Sequence, residues 1–214
     1  MNRFLALLLF LISFALPVLS EPIIPDFEQT QEETKPIEAQ ITFDWISKTQ
    51  MQRDENIEQI KNILFTPETP TTFSKSAFRE KYKNFLKNKN YLQTYEDLSK
   101  GKKEDENAYY CVFKLGNSSL IIMYAIQYKK DPHHIFYYDA MGGLRFIDIS
   151  SGKAPNYPYS TYQYTVNGKL VAAYYYNSQY DQYAYDENGK FKGRWYKDKF
   201  YNRRAKVIMT RSCW

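Results

Sequence analysis

The sequence has few of the residues on which most catalytic and metal sites depend. Its 214 residues include two histidines, His133 and His134, and two cysteines, Cys111 and Cys213. It contains no Gly-Lys-Ser/Thr phosphate loop, no Gly-x-Ser-x-Gly elbow and no His-Glu-x-x-His helix. Adjacent residues of an extended chain point to opposite sides, so the two histidines make a poor metal pair. We therefore predict no metal site and no cofactor, and the sequence favours a protein that is not an enzyme.

Two catalytic alternatives remain open. A secreted hydrolase or effector would use His133 or His134 with a nearby aspartate, because histidine is the usual general base. Paired carboxylates would instead hydrolyse sugars, and the candidate acids are Asp139, Asp148, Asp181, Asp186 and Glu187. Most of these acids stand where a turn favours aspartate, so we interpret them as turn residues.

Long apolar runs are absent after residue 20. Residues 4–19 are almost wholly apolar and follow Arg3, and Val18 and Ser20 occupy the −3 and −1 positions of a cleavage site before Glu21. This order is typical of a secretory signal peptide. The run is shorter than the ~20 residues that a membrane span needs. We predict a signal peptide at 1–20, an exported protein of the periplasm or the extracellular space, and no membrane span after cleavage.

Charge is distributed unevenly along the mature chain. Residues 21–43 carry six acids and one base, a net charge of −5, whereas residues 44–214 carry +9. Residues 21–41 lack any apolar period and contain prolines, so we predict an acidic disordered linker there. A basic domain attracts anionic partners. Because export argues against nucleic acid, we expect the partner to be a cell-envelope polymer or another protein.

Residues 42–214 are predicted to form one α+β domain, with helices within 42–100 and strands from 108 to 210. Broken apolar stripes predict two helices, at 42–65 and 74–98, separated by the proline-containing segment 66–72. Two apolar strand-length runs then flank the turn Gly116–Ser119. The even pair of cysteines in an exported chain is a candidate disulfide, and two free thiols are the alternative.

A repeated pattern, Tyr-x-x-x-Gly-x-(Leu or Phe), dominates the second half of the chain. Its copies are Tyr138–Leu144, Tyr164–Leu170 and Tyr185–Phe191, with a fourth, Tyr201–Val207, in which Ala205 replaces glycine. Glycine supplies the positive φ that a tight hairpin turn needs. Each copy therefore predicts one hairpin corner, with the structural turn glycines at Gly142, Gly168 and Gly189. Successive corners predict a mostly antiparallel β-meander with two N-terminal helices packed on one of its faces.

This pattern resembles the MORN-type repeats, especially their shorter bacterial variant, whose unit is Tyr-Asp-x-x-Gly-x-Leu. The segment is also similar to the aromatic hairpin repeats of cell-wall- and glucan-binding modules. The resemblance covers residues 138–207. The spacing is irregular and the second glycine of a standard MORN unit is missing. The resemblance implies an open hairpin sheet and a binding role.

From these features we predict an exported, non-catalytic binding or scaffolding protein with an exposed aromatic sheet surface. The predicted ligand contacts are Tyr174, Tyr176, Tyr183, Tyr185 and Trp195. Tyrosine and tryptophan rings stack on sugars and on partner chains. An inhibitor or immunity-like partner protein is a further alternative, which the resemblance to bacterial MORN variants suggests.

Overall fold

The computed structural model describes residues 50–213, with the side chains of residues 54–213. The predicted signal peptide, the predicted linker and the first part of the predicted helix 42–65 lie outside the described residues. The helices are α1 (Gln50–Leu64), α2 (Lys75–Lys81), a short 3₁₀ turn (Lys83–Phe85) and α3 (Tyr91–Ser99). The predicted helical segment 74–98 is helical in two parts, with the break before Tyr91 that Asn88 and Asn90 favour. Residues 86–90 separate α2 and the 3₁₀ turn from α3, because the backbone of this segment hydrogen-bonds to Gly142 and Leu144 of the sheet.

Ten strands follow the helices and pair with their sequence neighbours in an antiparallel sheet. They are β1 (Ala108–Leu115), β2 (Ile121–Tyr128), β3 (His134–Asp139), β4 (Leu144–Ser150), β5 (Tyr159–Thr165), β6 (Leu170–Ser178), β7 (Asp181–Asp186), β8 (Phe191–Tyr196), β9 (Lys199–Asn202) and β10 (Val207–Ser212). The predicted α+β content and antiparallel pairing are confirmed at this level.

The sheet closes on itself, which the sequence did not predict. β10 pairs with β1 through Val112–Ser212 and Leu115–Met209, so the ten strands form a closed barrel. Side chains of strands that are not neighbours meet inside it. The rings of Phe113 in β1 and Trp195 in β8, for example, lie 5.9 Å apart. The predicted open meander with a free face is therefore wrong, because its two edge strands bond to each other.

The turns at one end of the barrel share a hydrogen-bonding pattern. Gly142, Gly168 and Gly189 lie between paired strands with φ of 76°, 79° and 73°. The N–H of each glycine donates to a carbonyl three residues earlier, and Ala205, with φ of 56°, does the same in the fourth copy. We call this end of the barrel the turn end. The loops at residues 129–133, 151–158, 179–180 and 197–198 lie at the opposite end, the loop end.

A β-bulge follows each of these turns and moves neighbouring side chains to opposite faces. In β6, Tyr164 pairs with Leu170 but Gln163 pairs with Ala172, which leaves Val171 as the extra residue. Leu170 therefore packs outside the barrel, while Tyr174 packs inside it. Strict alternation along β6 would put Leu170, Ala172, Tyr174 and Tyr176 on one face, and the bulge removes Leu170 from it.

The helical layer lies on the outside of the barrel and contacts the turn end. The N–H of Phe73 donates to the carbonyl of Gly168 at 2.8 Å, and the N–H of Asn88 donates to that of Gly142 at 2.9 Å. A Cβ on Gly189 would meet the side chain of Lys61 in α1. The repeated turns thus serve as docking points for successive parts of the helical layer. Within residues 50–213, no helix is both long enough and apolar enough to cross a membrane.

Candidate functional site: the loop-end mouth of the barrel

The inward-pointing side chains make the barrel interior partly polar. Asp148 in β4 is fully buried. Its carboxylate accepts hydrogen bonds from the Tyr137 hydroxyl at 2.7 Å and from the Gln163 amide at 2.9 Å. Burial raises the pKa of Asp148 to about 7, although both hydrogen bonds act in the opposite direction. The interior therefore holds a carboxyl group that changes its charge near neutral pH.

Ionisation of Asp148 is expected to make stability depend on pH. The pKa of Asp148 is about 7 in the folded protein against 3.8 for an ordinary aspartate. Between these two pH values, the folded state retains a proton that the unfolded state has lost. Stability is then greatest at low pH and falls as the pH rises towards 7. At ~1.4 kcal/mol per pH unit, the loss between pH 5 and pH 8 is about 2–3 kcal/mol.

The Asp148→Asn variant should lack this component of the pH dependence. Its amide can accept from Tyr137 and, once the Gln163 amide turns over, donate to Gln163. Urea unfolding of both proteins at pH 5 and pH 8 measures the effect. We expect the variant to gain about 2–3 kcal/mol relative to the wild type at the higher pH. An equal difference at both pH values would show that Asp148 ionises normally.

Tyrosine rings line the loop end of the barrel above Asp148. Tyr159 and Tyr176 are paired across β5 and β6, and their rings stack at 4.7 Å and 12°. The ring of Tyr157 lies 5.2 Å from that of Tyr159. Tyr157 and Tyr180 are 45% and 57% exposed, while Tyr176 is 9% exposed. The rings thus lead from solvent towards the interior.

Arg211 in β10 is the positively charged residue of this site. Its guanidinium lies 4.5 Å from the Trp195 ring and donates to the Gln182 side chain at 2.9 Å and to the Lys197 carbonyl. Burial lowers the pKa of Arg211. Gln182 pairs with Tyr176 across β6 and β7, so its hydrogen bond with Arg211 places the guanidinium beside Tyr176. Burial raises the pKa values of Tyr157 and Tyr176, and the charge of Arg211 acts on both in the opposite direction. We define the barrel mouth as Tyr157, Tyr159, Tyr176, Tyr180 and Arg211.

The five predicted aromatic ligand contacts do not form one exposed patch. Tyr176 and Trp195 are buried inside the barrel, and Tyr174 packs against the same interior cluster. Tyr183 and Tyr185 point outwards beneath α1, where the Tyr185 hydroxyl donates to the Ile57 carbonyl and the Tyr183 hydroxyl accepts from Asn56. Alternation along the strands separates the two groups, and barrel closure covers one of them. Of the five, Tyr176 belongs to the barrel mouth.

One of the two candidate catalytic histidines, His134, has an aspartate partner in the structure. His134 Nδ1 lies 2.9 Å from an Asp131 carboxylate oxygen, and His134 Nε2 lies 3.0 Å from the Tyr82 hydroxyl. The ring thus links α2 to the start of β3, and Tyr82 is 4% exposed. Both ring nitrogens of His134 are occupied by protein partners. This arrangement is that of a structural connection between the helical layer and the barrel.

The four aspartates among the candidate acids for sugar hydrolysis each have separate partners. Asp139 pairs with Arg145 and accepts two turn amides, while Asp181 pairs with Arg194. Asp186 accepts turn amides at 2.9 and 3.0 Å and pairs with Lys192. Asp148 lies in the interior. These contacts give the turn aspartates structural roles.

A polar cleft of about 170 Å³ lies on the outer surface beside α3. Lys102 lies between Asp97 and Asp105 there, at 3.4 and 3.3 Å, and the Tyr110 hydroxyl donates to Asp105. Burial raises the pKa of Asp105, but hydrogen bonds from the Tyr110 hydroxyl, from the backbone amides of Asn107 and Ala108 and from Lys102 outweigh it and hold the pKa at about 2. The charged groups of the cleft satisfy one another. Among the described residues, no group of three histidine, cysteine or acidic side chains could hold a metal ion.

Sequence reasoning found Tyr176 but missed the other residues of the mouth, and it interpreted Asp148 beneath the mouth as one of the turn acids. Asp148 stands between Ile147 and Ile149, and a single acid in an apolar strand is a signal of a buried, hydrogen-bonded carboxyl. Arg211 carries no such signal, because its partners Gln182 and Trp195 belong to β7 and β8, which its own sequence neighbourhood does not indicate.

Comparison of the chain with protein families, with curated proteins and with solved structures finds no match in any of the three. The fold and site define a ten-stranded antiparallel barrel with an external helical layer and an aromatic mouth that contains one arginine. The resemblance of residues 138–207 to MORN-type repeats stays a prediction.

Proposed function

We propose that this protein is an exported, non-catalytic binding protein whose ligand contacts the barrel mouth. The observation that carries the proposal is the ring series from exposed Tyr157 through Tyr159 to buried Tyr176. Exposed aromatic rings beside polar groups are suited to stacking on sugar rings. The predicted signal peptide supports contact with the cell envelope. The ligand class is therefore an oligosaccharide of a cell-envelope polymer.

The alternative of a secreted hydrolase or effector that uses His133 or His134 has weaker support, since the histidine with an aspartate partner is His134. A general base needs a ring nitrogen within reach of the substrate. Asp131 and the buried Tyr82 hydroxyl occupy the two ring nitrogens of His134. A base at His134 would first have to lose one of these two partners. A binding role for the mouth requires no such change, since Tyr157 and Tyr180 are exposed.

Removing the exposed rings should weaken binding without unfolding the protein. The mature protein is titrated with soluble cell-wall oligosaccharides, both neutral and anionic, and binding is measured by calorimetry. Loss of one stacked ring costs ~1 kcal/mol, so Tyr157→Ala and Tyr180→Ala should each lower the affinity about 5- to 10-fold. Their melting temperatures should change little, because both side chains are substantially exposed.

Leu120→Ala is the matched control. Leu120 is 58% exposed at the turn end, opposite the mouth, so its truncation should leave affinity unchanged. An equal loss in all three variants would point to a nonspecific effect. If no oligosaccharide bound, or if the two tyrosine variants bound as tightly as the wild type, the proposed function would be rejected.

A further inference from the structure

The groups that the Arg211 guanidinium hydrogen-bonds do not balance its positive charge. Its hydrogen-bond acceptors are the Gln182 amide oxygen and the Lys197 carbonyl, both uncharged. Among the described residues, no carboxylate oxygen lies within 4.0 Å of the Arg211 guanidinium. Asp181, at the loop end, pairs with Arg194 instead. The Asp198 carboxylate acts on Arg211 only from a longer range. A half-buried guanidinium without a counter-ion is costly unless an anion approaches it.

The geometry of Arg211 leaves donors for such an anion. Its described hydrogen bonds use one N–H on each of its three nitrogens, while a guanidinium has five N–H groups. Carboxylates and phosphates bind guanidinium groups through two parallel hydrogen bonds. The Trp195 ring against Arg211 and the disulfide at Cys213, two residues further on, restrain this part of β10.

We infer that the mouth selects an anionic sugar, with Arg211 binding its carboxylate or phosphate while the tyrosine rings stack on the sugar ring. This inference rests on the proposed function and adds the charge of the ligand to it. The tyrosine hydroxyls close to Arg211 supply further donors. Their pKa values are raised by burial, so they stay protonated and can donate to the same oxygens.

The test compares oligosaccharides that share a backbone and differ in charge. A neutral oligosaccharide, its uronate-bearing counterpart and its phosphate-bearing counterpart are titrated against the mature wild-type protein by calorimetry. We expect at least one of the two anionic forms to bind tenfold or more tightly than the neutral form, and raised salt to reduce this preference. The two anionic arms distinguish carboxylate from phosphate as the recognised group.

Arg211 variants assign the preference to this side chain. Arg211→Gln should lower the affinity for the preferred anionic form tenfold or more and leave the affinity for the neutral form unchanged. Arg211→Lys should show an intermediate loss, because lysine keeps the charge but not the paired donors. If an Arg211 variant does not fold, the wild-type comparison of neutral and charged forms at low and high salt still tests whether the mouth selects an anion.

The outcomes separate the two proposals. Equal wild-type affinity for neutral and anionic forms, with loss in Tyr157→Ala, would overturn the anion inference and support the binding function. A strong anion preference that Arg211→Gln leaves intact would also overturn the assignment to Arg211. Binding of none of the oligosaccharides would reject the proposed function, and the anion inference with it.

Discussion

Removing the bond between Cys111 and Cys213 is expected to lower the free energy of unfolding by about 4 kcal/mol. The two cysteines are joined in the structure and are 102 residues apart in the sequence. In the chain-entropy account, a cross-link over about 100 residues stabilises the folded state by ~4–5 kcal/mol because it restricts the unfolded chain. The bond also connects β1 to the residue after β10, the two strands that close the barrel.

The Cys111→Ala/Cys213→Ala double variant measures this effect by urea unfolding and by its melting temperature. For a domain of this size, a loss of 4 kcal/mol corresponds to a decrease of about 10 °C in melting temperature. Chemical reduction of the wild-type protein should produce a similar decrease and should not change the double variant. Identical unfolding of oxidised and reduced wild type would contradict the prediction.

Gly193→Ala is expected to destabilise the protein by about 4 kcal/mol or to prevent folding. Gly193 lies in β8 opposite Asn202 of β9. A Cβ at this position would lie less than 3.0 Å from the backbone carbonyl oxygen of Tyr201, and a backbone atom cannot rotate away as a side chain can. Relief of the clash would require β8 and β9 to separate, with loss of their hydrogen bonds and of the packing between Trp195 and Phe200.

Gly152→Ala is the matched control for this substitution. A Cβ at Gly152 would meet no atom within 4 Å, and its φ is not in the left-handed region. This variant should therefore unfold within ~0.5 kcal/mol of the wild type, or be slightly more stable. Unfolding in urea, followed by circular dichroism, compares the two variants directly. Equal stability of Gly193→Ala and Gly152→Ala would show that β8 and β9 are not packed as described.

Both predictions concern strands on which the position of Arg211 depends. Arg211 lies two residues before Cys213, and Trp195, against which Arg211 packs, lies two residues after Gly193. A loss of barrel closure would therefore displace the guanidinium from the tyrosine rings. For this reason, binding by the cysteine variant is informative only at temperatures well below its melting temperature.

The disagreements between sequence and structure have identifiable causes. The sequence indicated strands with alternating faces, but one extra residue after each turn, such as Val171, moves Leu170 to the opposite side of the barrel from Tyr174. The aromatic residues predicted to share an exposed surface are divided between the interior and the contact with α1 by the pairing of β6 with β7. Tyr174 lies opposite Ala184, which leaves Tyr183 and Tyr185 on the other face. A bulge depends on the pairing of two strands, which a pattern along one strand does not contain.

The sequence by itself determined the places where the chain reverses. Gly142, Gly168 and Gly189 stand where a positive φ is needed. The side chain of the polar residue three positions before each glycine accepts hydrogen bonds from backbone amides of its own turn. These are local interactions, completed within a few residues. Only the tertiary structure decided that β10 bonds to β1, which strand faces point inwards, and that Tyr157, Tyr176 and Arg211 meet at one mouth. Those contacts join residues far apart in the chain, and no local pattern specifies them.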